Sequence, residues 1–120
     1  MNIALWVVQA LLALAFGMTG LMKLTQPREK LAGQMGWVND FAPTTVKLIG
    51  ALELLGAIGL ILPLLTGILP WLTPLAAVGL VLTMLGAMAT HLRRGENQML
   101  VANLVLLLLA AFVAYGRFAA

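Results

Sequence analysis

The sequence predicts an all-α integral membrane protein, a bundle of four transmembrane helices. Of its 120 residues, 62% are hydrophobic and only 9% are charged, and the mean hydropathy is +1.05. A soluble domain of this size needs more polar surface than this composition supplies. Four apolar runs, each long enough to cross about 30 Å of hydrocarbon, are separated by breaks rich in proline, glycine or charge. We therefore treat residues 1–120 as a single transmembrane domain.

The breaks between the apolar runs predict where each helix begins and ends. The first break, residues 25–43, is long and charged, and predicts an interfacial loop in which Pro27 opens a short helix. The second break, PLLTGILP, has no charge, and its prolines at 63 and 70, with Gly67, are expected to end one helix and begin the next. The third break is the polar turn RRGENQ. The predicted helices span Ile3–Leu24, Thr44–Leu62, Trp71–Leu92 and Met99–Tyr115.

The basic residues predict the orientation of the bundle. Six of the seven lie in or beside the first and third breaks, which therefore face the cytoplasm under the positive-inside rule. Both termini are then expected on the outer side, where the rings of Trp6, Trp71 and Tyr115 also fall. Because the basic residues are scattered between apolar runs, the net charge of +3 does not indicate nucleic-acid binding. The six are Lys23, Arg28, Lys30, Lys47, Arg93 and Arg94, and Arg117 is the exception.

Glu53 lies within the otherwise apolar run GALELLGAIGLILP of the second predicted helix. The helical rise from the cytoplasmic start places it about 13 Å deep, close to the middle of the bilayer. A charged side chain there costs about 2.5 to 3.5 kcal/mol, so Glu53 is expected to face the bundle interior and to be paired, protonated or hydrated. Gly50, Gly56 and Ala57 share its face and are small enough to let another helix approach.

Side-chain direction narrows the choice of a partner for Glu53. Each Cβ leans toward the N-terminus of its own helix, so Glu53 leans toward the cytoplasm, while Lys23 and His91 lean from the cytoplasmic side toward the midplane. Lys23 also shares a face with Gly20 and Gln9. We therefore expect Glu53 to pair with Lys23, with His91 as an alternative or third member of a ligand or proton site. The simpler alternatives are a snorkelling Lys23, an interfacial His91 and a protonated structural Glu53.

The remaining polar and small residues predict helix packing. Gln9 and Asn103 are expected to form hydrogen bonds between helices rather than to contact a ligand. The third predicted helix carries a stripe of small residues that could pack within the bundle or form the seam of a homodimer. One histidine and one buried carboxylate, with no cysteine, are too few for a metal site. The stripe comprises Ala76, Gly79, Thr83, Gly86 and Thr90.

Two segments, FGMTGLMKL at 16–24 and GALELLGAIGLILP at 50–63, resemble the DoxX and DoxX-like membrane proteins. Those proteins end their first helix on Gly-x-x-Lys-Leu and centre the second on Glu-Leu-x-Gly-x-x-x-Leu. The resemblance extends over all four apolar runs in order and spacing. It implies a small four-helix bundle of the bacterial inner membrane, and it carries over to Gly20, Lys23, Glu53 and Gly56.

The resemblance also implies a link to quinone chemistry, because the family name comes from a subunit of a thiosulfate:quinone or quinol oxidase system. On this hypothesis the head of a bound quinone or lipid meets Glu53, Lys23 and His91, and a redox partner protein carries the electrons. A second hypothesis is a proton-coupled carrier of a small hydrophobic molecule, working as a homo-oligomer with Glu53 as the coupling site. A third is a membrane assembly or scaffold protein. The chain has no nucleophile with an adjacent base, so the sequence does not predict catalysis by this chain alone.

Overall fold

The computed structural model describes residues 1–33 and 35–119, and within them four helices are long and apolar enough to cross a membrane. The longest dimension of the molecule is 41 Å, close to the thickness of a bilayer with its headgroups. A short helix, α2, and a 3-10 helix lie between the first two long helices. The elements are α1 (Asn2–Thr25), α2 (Arg28–Ala32), the 3-10 helix (Gly36–Asp40), α3 (Pro43–Thr66), α4 (Leu72–Arg94) and α5 (Asn97–Ala119).

The long helices pack as a bundle, so the predicted all-α membrane fold is confirmed. α1 packs on α3, α4 packs on α5, and α3 contacts α4 while α1 contacts α5. Both termini lie at the same end of the bundle, where the Arg117 Nη1 group donates a hydrogen bond to Asn2 Oδ1 at 2.8 Å. The core is apolar and draws on all four long helices, with Leu12, Phe16, Leu60, Leu80 and Val113 among its buried side chains.

The expectation that Pro63 ends a helix is wrong. Pro63 lies inside α3, which continues to Thr66. Proline removes only its own N–H, and the next turn closes normally, with the Gly67 N–H donating to the Pro63 carbonyl at 3.1 Å. The helix ends where Gly67 adopts a left-handed φ of 74°, a conformation that a residue without a side chain accommodates readily.

Glycines allow α3 to approach both of its neighbours. A Cβ on Gly20 would lie 2.7 Å from the carbonyl oxygen of Gly50, and one on Gly50 would lie 2.6 Å from the Cβ of Lys23. On the side of α4, a Cβ on Gly56 would lie 2.9 Å from a methyl group of Leu80. These three glycines, predicted to be helix-packing residues, therefore lie where α3 approaches α1 and α4 closely.

The stripe of small residues on α4 is packed within the bundle at only one end. Ala76 contacts α3, because a Cβ on Gly59 would lie 2.8 Å from its methyl group. Within residues 1–33 and 35–119, a Cβ on Gly79 or on Gly86 would meet no atom of another helix within 4 Å. Thr83 does not reach another helix through its hydroxyl, which donates to the carbonyl of Gly79 in its own helix at 2.9 Å. The face of α4 from Gly79 to Gly86 is therefore open.

The loop between α1 and α3 folds against the bundle as a second, small apolar cluster. As predicted, a short helix begins directly after Pro27, although it ends at Ala32, before the glycine at 33. Leu31, Val38 and Val46 are buried together in this cluster. Met35, Trp37 and Phe41 pack against it, which places large side chains of the loop over the adjoining ends of the long helices.

Candidate functional site

Lys23 and Glu53 form an ion pair buried between α1 and α3. Their side chains are 8% and 3% exposed, and the Lys23 Nζ group donates to Glu53 Oε1. The pair forms because α1 and α3 touch at Gly20 and Gly50, one turn from the two charged residues. The predicted contact between Lys23 and Glu53 is confirmed, and it satisfies a carboxylate that would be expensive to leave unpaired in a membrane.

Thr19 and Trp37 complete the surroundings of the pair, and sequence reasoning missed both. The Thr19 hydroxyl lies 3.3 Å from Glu53 Oε2 and also 3.1 Å from the carbonyl oxygen of Ala15 in its own helix. The ammonium group of Lys23 lies 5.2 Å from the centre of the Trp37 ring, a distance suited to a cation–π interaction. A sequence signal existed for Thr19, which lies one turn before Lys23 on the same face of α1.

His91 pairs with Glu96, a residue that sequence reasoning did not select. His91 is 5% exposed, and its Nδ1 atom lies 2.8 Å from Glu96 Oε1. Gly95, with a φ of 72°, ends α4 and turns the chain back, so that the Glu96 N–H donates to the His91 carbonyl at 2.9 Å. The expected third member of the site therefore has its side-chain hydrogen bond with Glu96 instead of Glu53.

The Glu96 carboxylate is held by two groups at the turn between α4 and α5. The hydrogen bond from His91 and the nearby positive charge of Arg94 lower the pKa of Glu96 below its usual value of 4.5, against a smaller opposing effect of desolvation. Arg94 Nε also donates to Glu96 Oε1 at 3.1 Å. Because the side chain of Glu96 remains 32% exposed, this carboxylate links a buried imidazole to water.

A cavity of about 460 Å³ brings together Lys23, Glu53, His91 and Asn103, four of the polar residues that the sequence singled out. It lies between the long helices and is covered by Met35, Trp37 and Phe41 of the loop. Because the lining residues Leu52 of α3 and Leu82 of α4 are 55% and 63% exposed, the cavity is open toward the surface on the side of α3 and α4. The polar lining residues are Thr19, Lys23, Glu53, Thr83, Thr90, His91 and Asn103, and the rest of the wall is apolar, formed by residues such as Phe16, Ile49, Met84 and Leu106.

Asn103 differs from its expected role between helices. It is 6% exposed, and its Nδ2 group has no hydrogen-bond partner in residues 1–33 and 35–119. A buried amide without a partner costs about 1 to 3 kcal/mol. Since Asn103 lines the cavity, a hydrogen-bond acceptor on a bound molecule would remove this cost.

Gln9 lies at the other end of the bundle and has the interhelical role predicted for it. It is fully buried, its Nε2 group donates to the carbonyl of Leu60 at 2.6 Å, and its Oε1 atom accepts from Arg117 Nε at 2.7 Å. The guanidinium group of Arg117 also lies 5.2 Å from the ring of Trp6. This cluster joins α1, α3 and α5 outside the cavity. It explains why Arg117 lies at the end of the bundle opposite to the other six basic residues.

Comparison with known proteins identifies a family for this chain. A family model described as the DoxX-like family matches residues 7–113, a range that includes every polar residue lining the cavity. No curated protein and no solved structure matches the chain. The matched range covers most of the four long helices and includes Gly20, Lys23, Glu53 and Gly56. The protein is therefore a multi-pass membrane protein that belongs to the DoxX-like family.

Proposed function

We propose that this protein binds a lipophilic ligand with a polar head, of the quinone class, in the cavity beside Lys23 and Glu53. In this proposal it is a non-catalytic subunit associated with quinone-linked redox chemistry in the bacterial inner membrane. The observation that carries the proposal is a cavity with apolar walls lined by a few polar side chains, one of them Asn103, whose Nδ2 group has no hydrogen-bond partner among the described residues. This combination is typical of small-molecule sites in proteins.

The residues that line the cavity fit the two ends of such a ligand. A ring oxygen of the ligand can accept a hydrogen bond from the Nδ2 group of Asn103, while His91 and Lys23, which also line the cavity, can contact a second oxygen. An isoprenoid tail suits the apolar remainder of the wall and the opening beside Leu52 and Leu82. A bound quinone supplies reversible uptake of electrons and protons. The chain has no cysteine, so we propose that a redox partner protein exchanges the electrons.

The orientation of the protein in the membrane is also part of the proposal, and it is based on the distribution of the basic residues. Six of the seven basic residues lie at the end of the bundle that carries the α1–α3 loop and the turn between α4 and α5. We therefore propose that this end faces the cytoplasm. The ligand head would then lie in the cytoplasmic half of the membrane, near the side chains of the loop that cover the cavity.

Fluorescence of Trp37 tests the ligand site directly, because this ring lines the cavity. The double variant Trp6→Phe and Trp71→Phe leaves Trp37 as the only tryptophan. In nanodiscs, we expect decylubiquinone to quench the fluorescence of Trp37 in this variant, and the quenching should saturate as the site fills. In the control variant Trp37→Phe, the fluorescence of Trp6 and Trp71 should be quenched without saturation over the same range of quinone-to-lipid ratios. Equal, unsaturable quenching of both proteins would contradict the proposal.

A carrier of a small hydrophobic molecule is the second candidate, and the open face of α4 favours it. Four helices are few for alternating access, and the face from Gly79 to Gly86 is free to meet a second copy. Glu53 would then couple transport to protons. Flux of a small hydrophobic cation into liposomes with a proton gradient, measured above the flux of protein-free liposomes, tests this role, since Glu53→Gln should abolish this protein-dependent flux at a temperature at which the variant is still folded. Unchanged flux would exclude it.

A further inference from the structure

We infer that His91 and Glu96 form a proton relay between a hydroxyl oxygen of the ligand in the cavity and water at the loop end of the bundle. The inference rests on the proposed function and deepens it, because it says how a proton leaves or reaches the ligand. It gives a role to Glu96, which does not line the cavity.

His91 and Glu96 together connect the cavity to the surface of the protein at the turn between α4 and α5. His91 lines the cavity and is 5% exposed, while the side chain of Glu96 is 32% exposed in the turn that follows α4. The contact between them, 2.8 Å from Nδ1 to Oε1, has the length of a good hydrogen bond. Since Glu96 occupies Nδ1, Nε2 is the ring nitrogen left for a group in the cavity.

The chemistry of imidazole makes this arrangement directional. A carboxylate only accepts, so Nδ1 carries the hydrogen and Nε2 of the neutral ring is an acceptor. When a ligand hydroxyl gives up its proton, its O–H bond breaks as an Nε2–H bond forms, and the Nδ1–H bond breaks as an O–H bond forms on Glu96. Glu96 then releases the proton to water. The reverse transfer returns a proton to the ligand and restores the first tautomer.

The charges near His91 and Glu96 favour release of the proton to water over its retention on Glu96. Across the cavity, Lys23 and Glu53 compensate each other's charge in their ion pair. At the turn, Arg94 donates to the same Glu96 oxygen that faces His91, and with His91 it lowers the pKa of Glu96. A carboxyl group with a lowered pKa holds a proton only briefly at neutral pH. The relay therefore ends on a group that releases the proton to water quickly.

A lipophilic nitrophenol is a suitable probe, because its absorbance reports whether its hydroxyl is protonated. The protonated phenol is bound to the protein in nanodiscs, and a stopped-flow jump to higher pH follows its loss of the proton. Glu96→Gln keeps an acceptor for the Nδ1–H bond but cannot take the proton. We expect this variant to bind the phenol about as tightly as wild type and to deprotonate it at least about tenfold more slowly. Glu29→Gln, an exposed acid of α2, is the matched control and should behave as wild type.

Two results would overturn the relay. One is a deprotonation rate in Glu96→Gln equal to that of wild type. The other comes from the single histidine of the chain, whose ¹⁵N spectrum should show a proton on Nδ1 and none on Nε2 in the neutral ring. A neutral ring protonated on Nε2 would contradict the proposed direction. Failure of wild type to bind the phenol would instead count against the ligand site, and the histidine spectrum distinguishes these two failures.

Discussion

Gly50 leaves room for the stem of Lys23, because a Cβ at position 50 would lie 2.6 Å from the Cβ of Lys23. The contact also brings the backbones of α1 and α3 together, since the same Cβ would lie 2.8 Å from the carbonyl oxygen of Gly20. The ion pair with Glu53 thus depends on a glycine one turn away. Helix packing and the polar site are parts of one arrangement.

Gly50→Ala should destabilise the protein by about 1 to 3 kcal/mol, because the added methyl group forces α1 and α3 apart. The free energy of unfolding can be measured in mixed micelles by circular dichroism. Gly79→Ala is the matched control in the open face of α4, where alanine should leave stability unchanged or raise it by up to about 1 kcal/mol. Equal effects of the two substitutions would contradict the close contact of α1 with α3.

Removal of both partners of the buried ion pair should cost less than the sum of the two single removals. Lys23→Met or Glu53→Gln alone should destabilise the protein by about 3 to 5 kcal/mol, since each leaves the other side chain buried without its partner. The double variant should be more stable than the sum of the two effects predicts, by more than about 1 kcal/mol. The same unfolding assay measures this coupling, and strictly additive effects would argue against the pair.

Asn103→Leu should separate ligand binding from stability. Leucine has a similar size and removes an amide whose Nδ2 group lacks a partner, so the free energy of unfolding should stay the same or rise. Binding of decylubiquinone, measured through Trp37, should weaken about tenfold because a ligand oxygen loses its donor. A loss of stability with unchanged binding would assign Asn103 to the packing of α5 instead.

Acid should remove the contribution of Glu96 to stability. Its pKa is lowered in the folded protein, so this contribution is fully present above the ordinary value of 4.5 and is lost as the pH falls through the lower, folded value. The unfolding midpoint of wild type should therefore exceed that of Glu96→Gln at neutral pH and approach it below the ordinary value. A difference that persists undiminished to about pH 3 would contradict the hydrogen bond from His91.

Hydropathy and helix geometry were enough to predict the fold and the central contact. The length of the apolar runs predicted the four helices, and the lean of each Cβ toward its helix N-terminus predicted the pairing of Lys23 with Glu53. The error at Pro63 arose because a proline pattern marks a turn without saying which residue ends the helix. Gly67, with its left-handed φ, sets that end.

The rest of the site depends on tertiary contacts that no local pattern encodes. His91 was recognised, but its partner follows from the turn at Gly95, which folds Glu96 back onto the last turn of α4. Asn103 could not be distinguished from Gln9 by composition, since each is an amide flanked by apolar residues within a long helix. Only the arrangement of the helices leaves one amide in a cavity wall and gives the other two hydrogen-bond partners.

The cavity opens on the side of α3 and α4, beside the exposed side chains of Leu52 and Leu82. This position determines which concentration of ligand controls the occupancy of the cavity. A molecule that reaches Glu53 by this route comes from the acyl-chain region, so its effective concentration is its mole fraction among the lipids and not its solubility in the aqueous phase. Phospholipid tails compete for the same entrance. Dilution of the protein with additional lipid at a fixed total amount of quinone should therefore empty the cavity.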